Sequence, residues 1–251
     1  MTLAPVVDET TGSVALAPET FTALVEHAAD PAAANNAHRA DEHLELLSQA
    51  CLINSRGVLP RLADTLTAIV NPTICTLELR QSGKTMEGWA DPSMAALLLP
   101  PDTDGRRTLA SLHPSLLPEA LARLVDLGPS PRAIRSEPLR AGESDLDRLL
   151  EGEPGGAAPG ASPSCDAFGA SSPASGPRRR WRLSTRWSLD DGRSGGAALE
   201  AIHTDDGIWL LEGEGDRLMA WPVTATTVWR LIVRLVMRRA ADERRAIDSF
   251  S

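Results

Sequence analysis

The clearest alternation of hydrophobic and polar positions begins at Arg180. Apolar or β-branched side chains occupy every second position from 181 to 189, and arginine and serine fill the positions between them. The buried set would be Trp181, Leu183, Thr185, Trp187 and Leu189. This period of two predicts a strand of an antiparallel sheet, with one buried face and one solvated arginine face.

Turn signals rich in glycine and aspartate divide the following residues into further strands. We predict strands at 197–204, 208–212 and 218–221. The segment is therefore a meander of about four strands. An amphipathic helix follows, because apolar residues recur at intervals of three and four from Val228 to Val236, and Thr224 or Thr226 is suited to cap it.

The first half of the chain changes from a helical period to a strand period. Helices are predicted at 18–29, at about 38–51 and at about 59–70, with prolines just beyond the first and the third. Strands are then predicted at 74–80, at 88–99 and at 108–112, and a helix at 115–127. We interpret 88–99 as one long strand with an irregularity at Asp91-Pro92, where proline removes a hydrogen-bond donor.

Composition changes set the expected domain organisation. Residues 1–17 are expected to be a flexible start, and residues 18–150 to hold the first helices and meander, with a brief helix near Ser144. Residues 151–177 are glycine, proline, alanine and serine with few large apolar side chains, which predicts a disordered linker or loop. Residues 178–240 carry the second meander and its helix, and 241–251 a tail.

The predicted fold class follows from these elements. We expect an α+β fold with a central, mostly antiparallel sheet built from two meanders and flanked by helical subdomains. Each meander has only about three or four strands with one apolar face, so a single sheet shared by both halves is preferred over two separate domains.

Charge and cysteine content narrow the functional classes. The 251-residue chain has a formal net charge of -9, which disfavours general binding of nucleic acids or anionic membranes. Its three cysteines are widely spaced, as expected in a reduced compartment, and no run of about 18 apolar residues is present. We therefore predict a cytoplasmic protein. A single lysine, no tyrosine and many arginines are typical of a GC-rich actinobacterial genome.

Candidate catalytic and metal motifs have simpler explanations. His38 and His43 are five residues apart, so they do not share a helix face with the spacing that a zinc site requires. The run Gly83-Lys84-Thr85 resembles the end of a phosphate-binding loop, but Glu78 stands where the first glycine is needed, and a hairpin turn is the better interpretation. We predict no enzyme activity, no metal and no cofactor.

Residues 40–70 leave an alternative open. A helix, a glycine turn and a second helix are compatible with a helix-turn-helix, which would make the chain a DNA-binding regulator. The second helix carries only Arg61 as a basic residue, so helix packing is the preferred interpretation. An enzyme with a site of unfamiliar type is the other alternative.

The sequence contains six tryptophans, whose positions bear on both the core and partner binding. Trp181 and Trp187 share a strand face, and Trp209 and Trp221 lie on neighbouring predicted strands. The default interpretation is a buried core, since aromatic side chains commonly fill sheet faces. The alternative is that one or two of them anchor a partner on the sheet surface.

The order of elements supports a family resemblance. It rests on the turn Ile53-Asn54-Ser55-Arg56-Gly57 with its helix into Asn71-Pro72, the hairpin from Gly88 to Leu99, the leucine- and proline-rich helix ending at Gly128-Pro129, and the turn Asp205-Asp206-Gly207-Ile208-Trp209. In this order the chain resembles the EspG family, the cytosolic chaperones of type VII (ESX) secretion in actinobacteria. It differs in being short, in its weak N-terminal strands and in the segment 151–177.

The resemblance implies a non-enzymatic chaperone that holds a helical secreted protein. In mycobacterial members that substrate is a PPE protein paired with a PE protein, so a PE/PPE-like or WxG-type partner is expected here, with no nucleic acid and no membrane insertion. The expected partner-binding residues are Trp187 and Trp209 on the sheet, and Asp102, Asp104 and Arg106 in the loop before the strand at 108–112.

Overall fold

The structure is a computed structural model that describes residues 3–30, 42–54, 57–128, 137–140, 179–189, 192–204, 207–213 and 217–237. It is an α+β protein with a large antiparallel sheet and several helices, which confirms the predicted fold class. The chain forms two compact units. The first takes in residues 1–77, 86–117 and 190–193, and the second takes in residues 78–85, 118–189 and 194–251.

Three helices build the core of the first unit. They are α1 (Pro18–Ala29), α2 (Glu42–Gln49) and α3 (Pro60–Val70). Proline occupies the first helical position of α1 and α3, where its missing N–H costs no intrahelical bond. Their inner faces form one cluster with strand residues; its fully or almost fully buried leucines include Leu16, Leu24, Leu47, Leu62, Leu66, Leu98 and Leu109.

The N-terminal residues are ordered as strands, so the expected flexible start is wrong. Strand β1 (Val6–Val7) pairs with β2 (Val14–Leu16), and β2 continues antiparallel onto a later strand with Val14 opposite Leu109. Val14 and Leu16 are fully buried. A three-residue strand offers only two inward positions, too few for a period of two to be visible in the sequence.

The segment between α2 and α3 is not a helix-turn-helix. It contains two short paired strands, β3 (Ile53–Asn54) and β4 (Gly57–Val58). The small hairpin replaces the tight turn that sets the angle between the helices of a DNA reader. The interpretation of this region as helix packing therefore fits the structure better than the DNA-binding alternative.

The first meander runs through β5 (Cys75–Gln81), β6 (Lys84–Ala90), β7 (Ala95–Leu98) and β8 (Arg107–Leu112). Ser82 and Gly83 both have positive φ, at 50° and 72°, as in a two-residue hairpin turn of type I′. The hairpin interpretation of Gly83-Lys84-Thr85 is thus confirmed.

The interpretation of 88–99 as one long strand is wrong, because the chain reverses at Asp91. The Asp91 N–H donates to the Met94 carbonyl at 2.9 Å, and Asp91 Oδ1 accepts from the N–H groups of Ser93 and Met94. The hairpin that the family resemblance implied at this place is present, with Ala90 opposite Ala95. All four residues of β7 are buried, so the strand has no alternation to mark its boundary.

After β8 the chain continues into a helix. The helix α4 (Leu117–Leu124) follows a 3-10 turn at Pro114–Leu116, which divides the single helix predicted at 115–127. Its end resembles a Schellman motif, since Asp126 has φ 55° and the Leu127 N–H donates to the Ala122 carbonyl at 2.8 Å.

The second meander agrees closely with the predicted strands. It consists of β9 (Leu139–Arg140), β10 (Arg179–Ser188), β11 (Ser194–Thr204), β12 (Gly207–Glu212) and β13 (Met219–Val223). Their order is β10-β11-β12-β13-β9, and the pairs are antiparallel. The longest register joins β10 and β11 from Arg179 opposite His203 to Ser188 opposite Ser194.

The final helix, α5 (Ala225–Val236), is the predicted amphipathic one. Thr224 caps it, because its Oγ1 accepts the Thr227 N–H at 3.2 Å. The buried side consists of Val228, Ile232, Leu235 and Val236, and the helix packs against β11. Within the described ranges, no helix has the length and apolar character that a bilayer crossing requires.

Several predictions fall on residues outside the described ranges. These are the brief helix near Ser144, the segment 151–177, the tail 241–251, and His38 of the pair His38 and His43. The proposed partition into domains stays a prediction.

Candidate partner-binding surfaces

The loop between β7 and β8 brings three predicted residues together. Asp102 Oδ1 accepts the backbone N–H of Asp104 and of Arg106, each at 2.9 Å. The Asp102 N–H also donates to the Arg106 carbonyl at 2.8 Å, and Gly105 closes the turn with φ 82°. Asp102 therefore holds the loop in shape through one carboxylate oxygen.

The same loop presents one charge more openly than the others. Arg106 Nη1 lies 3.2 Å from Asp104 Oδ2, but the Asp104 side chain is 64% exposed and that of Arg106 only 18%. Arg106 Nε is buried with no hydrogen-bond partner among the described residues. An ion pair at the surface contributes little to stability, and the Asp104 carboxylate stays largely in contact with solvent.

Trp187 is packed into the sheet. It is 7% exposed and stands opposite Gly195 in the register of β10 and β11. A Cβ atom added to Gly195 would lie 2.6 Å from Trp187 Cε2, so the indole ring covers the bare backbone of that glycine. This burial is what the core interpretation of the tryptophans predicts, and partner contact by Trp187 stays a prediction.

Trp209 is 3% exposed and lies on the other face of the sheet from Trp187. The register shows this, because Trp209 stands opposite Ile202, which stands opposite Arg180. The predicted pair of partner-binding tryptophans is therefore divided between two faces, and a single docked molecule would need to reach both. The role of Trp209 in partner binding also stays a prediction.

The arginine face of β10 is only partly solvated, which corrects the sequence-based expectation. Arg182 and Arg186 are exposed, but Arg180 is 4% exposed and forms an ion pair with Glu200 through its Nε atom. Ile202 and Trp209 are buried on the same face. One end of this face is therefore core. The strand period could not show this, because the arginine pattern is the same at both ends.

Two tryptophans other than Trp187 and Trp209 are exposed to solvent. Trp221 of β13 is 41% exposed and Trp229 of α5 is 37% exposed. The sequence offered a signal for Trp229, since it directly follows Val228 and so falls outside the apolar stripe of the helix. Arg230 and Arg234, also exposed, lie on the same solvent side.

His203 accepts a hydrogen bond from a tryptophan side chain. Trp181 Nε1 donates to His203 Nε2 at 3.2 Å, and the rings meet edge to face at 6.2 Å. Because Nε2 accepts this bond, the neutral ring carries its proton on Nδ1. Burial is the main reason that the pKa of His203 lies below its usual value; Asp126 opposes that shift, and Arg179, which pairs with Asp126 at 3.0 Å, adds to it.

Other candidate residues for chemistry make structural contacts. His43 Nδ1 lies 3.1 Å from Thr20 Oγ1, and His113 Nδ1 accepts the Ser115 N–H to cap the 3-10 turn. Burial raises the pKa of Cys75 to about 11, which leaves its thiol protonated near neutral pH and a poor nucleophile. Among the described residues, no group of three or more His, Cys, Asp or Glu side chains is placed to hold a metal ion.

Comparison with known proteins gives a likeness in fold. No protein-family model and no curated protein matches the sequence. Among solved structures, the chain is similar to the Mycobacterium tuberculosis type VII secretion system chaperone EspG5, whose structure was solved in complex with a PE25–PPE41 dimer. The two are 12% identical with a TM-score of 0.54, and the match covers 89% of this chain and 95% of the other. At that identity the likeness extends to the fold.

Proposed function

We propose that this protein is a non-enzymatic cytoplasmic chaperone or adaptor of a type VII secretion system, and that it binds a helical secreted protein of the PE/PPE kind. The observation that carries the proposal is the fold likeness to EspG5 over nearly the full length of both chains. EspG5 is itself a chaperone solved with a PE25–PPE41 dimer, and the element order of this chain independently resembled the EspG family.

The described surface suits a binding protein. Tryptophan, methionine and arginine are enriched where proteins meet, and Trp221, Trp229 and Met237 are all more than a third exposed. The loop that holds Asp102, Asp104 and Arg106 adds a fixed, charged projection. We propose that Asp104 contacts the partner and that Asp102 and Arg106 position it.

Co-expression tests the proposal directly. The full chain would be produced together with each helical secreted-type protein encoded beside its gene, and the mixture separated by size-exclusion chromatography with light scattering. We expect one of these proteins to co-elute with the chain in a fixed ratio and to be less soluble without it. Separate elution of every candidate would contradict the chaperone role.

A matched pair of variants tests the loop within that complex. Asp104→Arg reverses an exposed charge in the loop, and Asp64→Arg makes the same change on the exposed side of α3. We expect Asp104→Arg to weaken the complex about tenfold and Asp64→Arg to leave it unchanged. Equal effects of the two would remove Asp104 from the interface while leaving the chaperone role intact.

A further inference from the structure

The solvent side of α5 carries an apolar line. Trp229 and Met237 are 37% and 43% exposed, and the half-buried Val233 lies between them. These three residues follow one another at intervals of four, so they form one line along the helix. None of them is among the residues that α5 buries, which are Val228, Ile232, Leu235 and Val236.

Two arginines run beside this line. Arg230 and Arg234 are exposed and lie four residues apart, each next to one member of the apolar line. Like charges at this spacing repel each other on a helix, so they do not serve the stability of α5 as a pair. Neither forms an ion pair with any residue in the described part of the chain.

The composition of this surface indicates protein contact. Tryptophan, methionine and arginine are residue types that interfaces concentrate, and tryptophan and arginine are over-represented among the residues that dominate binding energy. The apolar line is one residue wide. That width fits the ridge of a packed helix better than a bilayer, where an amphipathic helix needs a broad apolar face.

Charge selects among possible occupants. A second copy of α5 would bring Arg230 and Arg234 against their own counterparts, which is unfavourable. Arg230 and Arg234 lie on the same side of the apolar line, so a helix with acidic residues along one side of an apolar row would match the line and neutralise both arginines.

We propose that Trp229, Val233 and Met237, with Arg230 and Arg234, form a docking surface for one acidic amphipathic helix of a partner protein. In the cell this helix belongs to the secreted partner, so that identification rests on the proposed function. The chemistry of the surface stands on its own and is tested separately.

The test uses two synthetic helical peptides of about 20 residues. Both carry leucine on one face; glutamate flanks it in the first peptide and lysine in the second. Binding to the full chain would be measured by titration calorimetry at low salt. We expect the glutamate peptide to bind at least about tenfold more tightly than the lysine peptide, and added salt to reduce the difference.

Three variants assign the binding to α5. Trp229→Ala with Met237→Ala is expected to weaken binding of the glutamate peptide about tenfold or more. Arg230→Glu with Arg234→Glu is expected to reverse the preference toward the lysine peptide. Arg182→Glu with Arg186→Glu makes the same charge change on β10 and is expected to keep the wild-type preference. Circular dichroism would verify that each variant is folded.

The proposal fails if both peptides bind alike or if the β10 variant changes the preference as much as the α5 variant. A dimer that disappears with Trp229→Ala, or Trp229-dependent binding to phosphatidylglycerol vesicles in place of the peptides, would also overturn it. The experiments distinguish the docking surface from the chaperone role. A co-expressed partner that binds the Trp229→Ala, Met237→Ala variant normally contradicts the surface alone, and peptide binding without any co-expressed partner contradicts the chaperone role alone.

Discussion

Trp181 and Trp221 occupy the same row of the same sheet face, and their environments are opposite. The register joins them through Ala201 and Leu210, from β10 across β11 and β12 to β13. Trp181 is fully buried, whereas Trp221 is 41% exposed. Strand alternation therefore determines which face of the sheet a side chain lies on. Whether that side chain is buried depends on what packs against the face, and the Trp221 end of the row is covered less than the Trp181 end.

We expect the largest loss of stability from a substitution at the buried end of the row. Trp181→Ala removes a fully buried indole and leaves the Nε2 atom of His203 without its donor. We expect a loss of about 3–5 kcal/mol in the free energy of unfolding, measured by urea denaturation followed by circular dichroism. A loss as small as that of an exposed residue would show that this end of the face is not core.

A smaller effect is expected from the glycine under Trp187. In Gly195→Ala the new Cβ would lie 2.6 Å from Trp187 Cε2, so the ring or the strand must shift. We expect a loss of about 1–3 kcal/mol in the same denaturation experiment. Gly196→Ala is the control, because its Cβ would point to the other face with Thr185 O at 3.3 Å. Equal losses would mean that general strand propensity, and not the ring, sets the cost.

A pH titration tests the burial of His203 beside Trp181. The pKa of His203 is lowered in the folded protein from 6.5, so below about that pH the unfolded chain binds the additional proton more readily. The contribution of His203 to the free energy of unfolding is therefore complete above pH 6.5 and is lost as the pH falls toward the folded-state pKa. In His203→Gln, which keeps an acceptor but does not titrate, we expect a shallower loss of stability on acidification. Identical pH profiles would contradict the burial of the His203 ring in the folded protein.

The smallest effect is expected at the exposed end of the row. Trp221→Ala should change the free energy of unfolding by no more than about 0.5 kcal/mol, because the side chain is only partly covered. Denaturation in parallel with Trp181→Ala measures the difference directly. A loss above about 2 kcal/mol would show that Trp221 packs as core despite its exposure.

The strands and helices with a visible period were predictable from sequence. The strand from Arg179 to Ser188 and the helix from Ala225 to Val236 fall close to their predicted limits. The strand alternates apolar and polar positions along its length, and the helix repeats its apolar positions at intervals of three and four. The reversal at Asp91 was missed because β7 is buried on both faces. Strands of two or three residues, such as Val14–Leu16, carry too little pattern to detect.

The candidate surfaces were harder to predict than the fold. That Arg180 is buried, or that Trp187 lies over Gly195, depends on which residues stand opposite each other across strands. Register is a pairing between distant segments, and periodicity within one segment does not contain it. Trp229 is different, because its position beside the apolar stripe of α5 is visible in the sequence itself.

The second meander ends at β9, a strand of only two residues. It pairs with Met219 and Ala220 of β13, and the next residues of β13 include Pro222, whose nitrogen has no hydrogen to donate. Among the described residues, this edge offers an incoming strand few backbone groups, which disfavours both aggregation and recruitment of an extended peptide. Recognition of a protein at this edge would therefore depend on side chains more than on backbone pairing.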